Sequence, residues 1–107
     1  MPIYNKLVRD YIPKIIEKSG KSYSVKTLDD DQYLNEIKNK MQEELEEYIE
    51  AKEDEEALKE LADILELVYA AAAAYGATSE DIQRIREEKI KMRGGFSEKI
   101  YLLEVED

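Results

Sequence analysis

The chain has 107 residues, a formal net charge of −10 at pH 7, and neither cysteine nor histidine. Hydrophobic residues make up 43% of it, which is too many for a disordered polyanion, so we expect one small folded domain over residues 1–107. The negative charge argues against nucleic acid and anionic membranes as partners and suits a protein that binds divalent cations. The composition excludes disulfides, histidine or thiolate zinc sites, and Ser-His or Cys-His catalytic pairs.

The sequence shows no targeting or membrane segment. Residues 1–10 lack the apolar stretch of a signal peptide, and the longest apolar run, residues 67–75, is far too short to span a bilayer. We therefore expect a soluble, cytoplasmic protein.

A short helix is predicted first along the chain. Asp10 can cap it, Pro13 fits its first turn, and Gly20 is a suitable stop. Residues 21–28, which follow, have the pattern of an extended or loop segment.

Two long helices are predicted next. Aspartates at residues 29–31 can cap the first, which ends near residues 51–54, and the second covers about residues 55–75. The second half of that helix is apolar nearly all round, so it must be buried on several sides. A chain of this size has too few elements to bury it. We therefore expect a homo-oligomer, a dimer or a tetramer, with this helix at the interface.

A last helix is predicted at about residues 79–93, capped by Thr78 or Ser79 and ended by glycines. Residues 97–107 are rich in β-formers and predict a short strand that could pair with residues 21–28. The predicted fold is therefore all-α, an antiparallel helical bundle completed by oligomerisation, with a short C-terminal strand.

The stretch EELEEYIEAKEDEEALKELADILE, residues 43–66, is rich in carboxylates. If the two long helices form an antiparallel hairpin with its tip between residues 53 and 54, Glu44 faces Asp63 and Glu47 faces Glu60. The other acids then face non-acidic residues. Apolar pairs along the same seam are Leu45 with Ala62 and Ile49 with Leu58.

Four carboxylates at close quarters repel one another unless cations lie between them. Ligation by carboxylate oxygens alone favours Mg²⁺, with Mn²⁺ as the alternative, and the lack of histidine disfavours a di-iron centre. The competing interpretation is a solvated helical surface with ordinary ion pairs to Lys52 and Lys59. Spacing alone leaves both interpretations open.

The carboxylate pattern resembles that of a known enzyme family. Residues 43–47 read E-E-x-x-E, and residues 60–63 read E-x-x-D after a twelve-residue spacing. This is similar to the signature of the all-α nucleoside triphosphate pyrophosphohydrolases, the MazG-like group that includes phosphoribosyl-ATP pyrophosphohydrolase and dimeric dUTPase. Residues 4–16 and 88–96 resemble the flanking motifs of a small branch described as phosphoribosyl-ATP pyrophosphohydrolase-like, so the resemblance covers nearly the whole chain.

The resemblance implies an all-α protein that dimerises or tetramerises through its helices. It also implies Mg²⁺-dependent cleavage of a nucleoside triphosphate between the α- and β-phosphates, which gives a nucleoside monophosphate and pyrophosphate. The implied metal ligands and catalytic residues are Glu44, Glu47, Glu60 and Asp63. Glu43 matches the first glutamate of the motif, but it lies off the hairpin seam, so we assign it a lesser role.

Basic residues in the two flanking motifs are candidate substrate-binding residues: Lys6, Arg9, Lys89 and Arg93. Lys89 and Arg93 are four apart and share a face of the last helix, where they could hold a triphosphate. The alternative is that they are ordinary cations at a helix C-terminus followed by a glycine stop.

Three functions are compatible with these residues. The leading hypothesis is a house-cleaning pyrophosphohydrolase that acts on non-standard or deoxy nucleotides. The second is hydrolysis of phosphoribosyl-ATP in histidine biosynthesis. The third is a non-catalytic acidic helical module for protein interaction, which should be indifferent to Mg²⁺, whereas an enzyme of either kind should be stabilised by it.

Overall fold

The structure is a computed structural model that describes residues 2–107. It contains α1 (Ile12–Lys18), α2 (Asp30–Glu50), α3 (Asp54–Ala74) and α4 (Ser79–Arg93). The described residues contain no β-strand, so the fold is all-α, as predicted.

The predicted C-terminal strand is wrong. Residues 97–107 and residues 21–28 run without regular secondary structure, and no sheet hydrogen bonds join them. β-forming side chains favour a strand only where a partner edge is available to pair with, and the described residues offer none.

The ends of the long helices follow the predicted signals. Asp29 caps α2 and Thr78 caps α4, and each side chain accepts a hydrogen bond from the backbone N–H three residues further on. The short first helix forms with Pro13 in its first turn, but its predicted cap is wrong, because the N-cap residue is Tyr11, with no side-chain cap. Asp10 lies one residue earlier, in the turn that leads into the helix.

The two long helices form an antiparallel hairpin through the loop at residues 51–53, and α4 packs against α3. The most buried apolar side chains are Ile37 of α2 and Ala72 of α3, so the core lies at the end of the hairpin away from its tip. Gly76 adopts a φ of +83°, which lets the chain reverse between α3 and α4, and these helices meet at 108°.

A single chain leaves much apolar surface uncovered. Its radius of gyration is 18.1 Å, whereas a compact domain of this length has roughly 13 Å. Its accessible surface is 10083 Å², against roughly 6,200 Å² for a compact monomer of its mass.

Apolar residues on the hairpin form an exposed surface, here called the apolar stripe: Leu45, Tyr48, Ile49, Leu58, Leu61 and Leu65. Ile49 and Leu58, the apolar pair predicted along the seam, are 70% and 67% exposed in the single chain. A two-helix hairpin buries only the faces that its helices turn towards each other, so apolar side chains elsewhere on it stay exposed in a single chain.

Within residues 2–107, no single helix is both long enough and apolar enough to cross a bilayer. Taken together as one bent pair, α3 and α4 have the required length and composition, as core helices of other proteins also do.

Candidate functional site

The candidate site is a cluster of carboxylates between α2 and α3, in the half of the hairpin next to its tip. Carboxylate oxygens of Glu44, Glu60 and Asp63 lie within 4.8 Å of one another, and so do those of Glu43, Glu44 and Glu47. Glu44 belongs to both groups, so it lies at the centre of the cluster. The structure therefore brings together all four predicted carboxylates.

The hairpin tip lies slightly earlier than predicted. The loop covers residues 51–53, which brings Glu44 level with Glu60 as well as close to Asp63. The carboxylates converge in spite of this shift because residues three apart on a helix share a face. Glu43, which we expected off the seam, joins the cluster on the α2 side.

Two oxygens at the centre of the cluster lack partners. Glu44 is only 7% exposed, and its Oε2 and the Oε2 of Glu60 are buried without a hydrogen bond from any described residue. A buried carboxylate oxygen without a partner is costly, so a group that brings positive charge fits there. Because every donor atom is a carboxylate oxygen, a hard cation such as Mg²⁺ or Mn²⁺ suits the cluster.

The crowding shifts the acidity of the central carboxyls. Burial is the main cause that raises the pKa of Glu44, and the neighbouring carboxyl of Glu60 adds to the rise. The neighbouring carboxyl of Glu44 is the main cause that raises the pKa of Glu47, and burial adds to it. Without a cation, these carboxyls therefore keep a proton to higher pH than ordinary glutamates do.

We expect Glu44→Gln to reduce the dependence of metal-free stability on pH. Because the pKa of Glu44 is raised in the folded chain, the stability that this group contributes is complete below about pH 4 and is lost as the pH rises through the folded pKa. The amide stays neutral, so the variant should melt at a higher temperature than the wild type at neutral pH. Melting temperatures measured in chelator from about pH 4 to neutral pH test this prediction. The same dependence of melting temperature on pH in the two proteins would contradict it.

Two of the predicted basic residues reach the cluster from residues 2–10. Lys6 Nζ donates to Glu43 Oε1 at 3.3 Å, and Arg9 Nη2 donates to Asp63 Oδ1 at 2.6 Å. The hydrogen bond to Asp63 is the main cause that raises the pKa of Arg9. Both cations therefore lie where negative charge is concentrated.

Sequence reasoning missed Lys40. Its ammonium lies 3.2 Å from Glu43 Oε2 and 3.6 Å from Glu44 Oε1, and its side chain is only 18% exposed. Burial opposes ionisation of Glu43, but the hydrogen bonds and charges of Lys40 and Lys6 outweigh it and lower the pKa of that carboxyl. The signal was available, because Lys40 precedes the two glutamates by three and four residues.

The other two predicted basic residues lie on α4. Lys89 and Arg93 are exposed, and neither forms an ion pair with any residue in 2–107. A single chain therefore does not join them to the carboxylates.

A polar cleft of about 140 Å³ adjoins the cluster on the α2 side. Its lining residues are Asn5, Lys6, Leu7, Glu36, Asn39, Lys40 and Glu43. Its walls carry two ammonium groups and two amides beside the carboxylates of Glu36 and Glu43, so the cleft offers both hydrogen-bond donors and acceptors to a polar group.

Comparison with protein families gives one result that bears on this site. Residues 5–89 match the family model described as phosphoribosyl-ATP pyrophosphohydrolase. The match takes in the whole cluster, together with Lys6, Arg9 and Lys40. No curated protein and no solved structure gives a significant match to the chain.

Proposed function

The chain belongs to the phosphoribosyl-ATP pyrophosphohydrolase family, and we propose that it is a Mg²⁺-dependent enzyme that hydrolyses a nucleoside triphosphate to the monophosphate and pyrophosphate. The family is one of nucleotide pyrophosphohydrolases. The observation that carries the proposal is the pair of buried, unpartnered oxygens of Glu44 and Glu60 beside Asp63. A cation would satisfy such a centre, and phosphoanhydride hydrolysis uses one.

The proposed ligands of Mg²⁺, or of Mn²⁺ in its place, are Glu44, Glu47, Glu60 and Asp63. When bound there, the cation would supply positive charge that favours ionisation of water and stabilises the leaving phosphate. The carboxylates would fix its position, and one of them would help to take a proton from the attacking water. Catalysis of this kind depends on positioned charge and needs no covalent nucleophile, which fits a chain without cysteine or histidine.

The proposed substrate-binding residues are the four predicted cations. Lys6 and Arg9 already lie at the carboxylates. Lys89 and Arg93 share a face of α4 and are free to meet phosphate oxygens, from the same chain or from a second copy. Guanidinium and ammonium groups are the usual protein partners of a triphosphate.

Two substrate classes are proposed for this site. One is non-standard or deoxy nucleoside triphosphates, as in a house-cleaning enzyme, and the other is phosphoribosyl-ATP, after which the family is described. Both carry the same triphosphate, so the carboxylates and cations suit either. A head-to-head assay with Mg²⁺ separates them: the true substrate should give the larger kcat/KM, and the other should be a poor competitor.

A non-catalytic interaction module is the remaining alternative. Thermal melting distinguishes it, because a cation that binds only the folded state must raise the melting temperature. The enzyme hypothesis predicts a melting temperature that keeps rising with the logarithm of the Mg²⁺ or Mn²⁺ concentration, whereas a melting temperature indifferent to both cations would favour the module.

We also propose that a second copy of this chain covers the apolar stripe. The excess of exposed surface over that of a compact monomer is roughly 4,000 Å² per chain, which exceeds the roughly 1,000–2,500 Å² that each partner contributes to a permanent protein interface. Leu58, Leu61 and Leu65 fall on one face of α3, so they give a continuous contact. A dimer or a tetramer would satisfy this requirement.

We expect light scattering to give at least twice the 12.5 kDa mass of one chain. Leu58→Lys should shift the mass towards the monomer, because it places a charge in the proposed interface while disturbing little within a single chain. Met92→Lys is the control, because Met92 is 80% exposed and lies on α4, outside the apolar stripe. A wild-type mass near 12.5 kDa would refute the oligomer.

A further inference from the structure

Residues 2–10, here called the 2–10 segment, are tied to the carboxylate cluster by charge. Arg9 reaches Asp63 at 2.6 Å and Lys6 reaches Glu43 at 3.3 Å. We infer that Arg9 competes with the divalent cation for Asp63, and that cation binding releases Arg9 to bind the phosphates of the substrate. The inference rests on the proposed function, because it takes the cluster as the cation site.

The contacts that hold the 2–10 segment against α2 and α3 are weak enough to break. Within residues 2–107, its only hydrogen bonds to α2 and α3 are the two from Lys6 and Arg9, and no backbone hydrogen bond joins it to either helix. Its side chains are exposed apart from the half-buried Leu7. Exposed ion pairs contribute little stability each, so a stronger cation can replace them.

A divalent cation and Arg9 compete for the carboxylate of Asp63. Asp63 is one of three residues whose carboxylate oxygens lie within 4.8 Å of one another, and its Oδ1 is the atom that accepts from Arg9. A divalent ion in this group would stand within a few ångströms of the guanidinium, and like charges at that distance repel. Lys40 differs from Arg9 because it belongs to α2 itself and lies three and four residues before Glu43 and Glu44.

Once displaced from Asp63, the guanidinium of Arg9 can bind the substrate at the same place. A triphosphate bound to the cation brings further negative charge, and a guanidinium binds phosphate oxygens with paired, charge-assisted hydrogen bonds. Arg9 is 61% exposed and lies outside any helix, so it can turn from Asp63 to the phosphate without unfolding an element. Arg9 therefore has one partner before the cation binds and another afterwards.

The test compares Mn²⁺ binding to the wild type, Arg9→Ala and Arg84→Ala, with free Mn²⁺ measured by electron paramagnetic resonance. Arg84 is a matched control, because it pairs with Asp81 at 3.0 Å with side-chain exposures of 62% and 36%, against 61% and 37% for Arg9 and Asp63. Arg9→Ala should bind Mn²⁺ about two- to fivefold more tightly, the change that an exposed ion pair is worth. Arg84→Ala should bind it as the wild type does.

Arg9→Ala should have the opposite effect on the affinity of the Mn²⁺-saturated protein for inorganic pyrophosphate. Arg9→Ala should bind it roughly tenfold more weakly than the wild type, as expected for a lost charge-assisted hydrogen bond. In addition, the side-chain NMR signal of Arg9 should move on titration with Mg²⁺, while those of Arg84 and Arg86 stay in place.

Mn²⁺ binding by Arg9→Ala that is equal to or weaker than that of the wild type would overturn the inference, because Arg9 would then support Asp63 rather than compete for it. An Arg9 signal that is unmoved by Mg²⁺ would overturn it as well. In both cases the cation site itself survives. If neither the wild type nor Arg9→Ala binds Mn²⁺, the cation site fails, and the proposed function fails with it.

Discussion

Asp63→Asn is expected to lower turnover at least about a hundredfold, since residues that only orient a metal ligand already contribute 10- to 100-fold. Asp63 is one of the three residues whose oxygens meet at the centre of the cluster, and the amide keeps its size while removing its charge. The helical circular-dichroism signal should not change, because Asp63 is only half-buried and its partner Arg9 lies on the surface. Pyrophosphate release at saturating Mg²⁺ measures the loss.

Glu56→Gln is the matched control for this loss. Glu56 lies on the same helix as Asp63, is exposed, and belongs to neither carboxylate group, so its substitution should leave turnover within about twofold of the wild type. Glu47→Gln should behave like Asp63→Asn. Wild-type turnover in both Asp63→Asn and Glu47→Gln would remove the cluster from the catalytic site.

Lys40→Met is expected to destabilise the metal-free protein by about 1–3 kcal/mol, the cost of leaving a partly buried charge without its partner. Lys40 is 18% exposed and neutralises Glu43 and Glu44 together, so its loss leaves these carboxylates with less compensating charge. Mg²⁺ should reduce the difference from the wild type, because the cation brings the missing charge. Urea unfolding in chelator and in Mg²⁺ measures both effects.

Lys59→Met provides the comparison for Lys40→Met. Lys59 also pairs with a glutamate of its own helix, at 3.8 Å, but both side chains are largely exposed, so the variant should unfold close to the wild-type denaturant midpoint. An equal loss of stability in the two lysine variants would show that burial of Lys40 against the cluster has no particular importance.

Local patterns in the sequence were sufficient to predict the helices. Apolar spacing placed all four, and cap residues such as Asp29 and Thr78 gave two of their starts. The strand predicted at residues 97–107 failed because β-propensity does not say whether a partner edge exists. Asp10 failed as a cap because capping depends on the backbone turn before the helix, which composition does not fix.

The candidate site was predicted only in part, because sequence spacing indicates which residues share a helix face but not which distant segments meet. Spacing three apart on two antiparallel helices suffices to bring Glu44, Glu60 and Asp63 together, even when the loop shifts the register slightly. The contact of Arg9 with Asp63 spans 54 residues of sequence, and no periodicity within a segment can predict a contact of that range.

Pyrophosphate release from a panel of standard, deoxy and damaged nucleoside triphosphates and phosphoribosyl-ATP, with Mg²⁺, with Mn²⁺ and with chelator, tests the central claim most directly. We predict release of pyrophosphate and a nucleoside monophosphate from at least one member, with either cation, and none with chelator. Release that persists in chelator would contradict the role of the carboxylate cluster. The absence of release from every substrate with both cations would contradict the proposed enzyme.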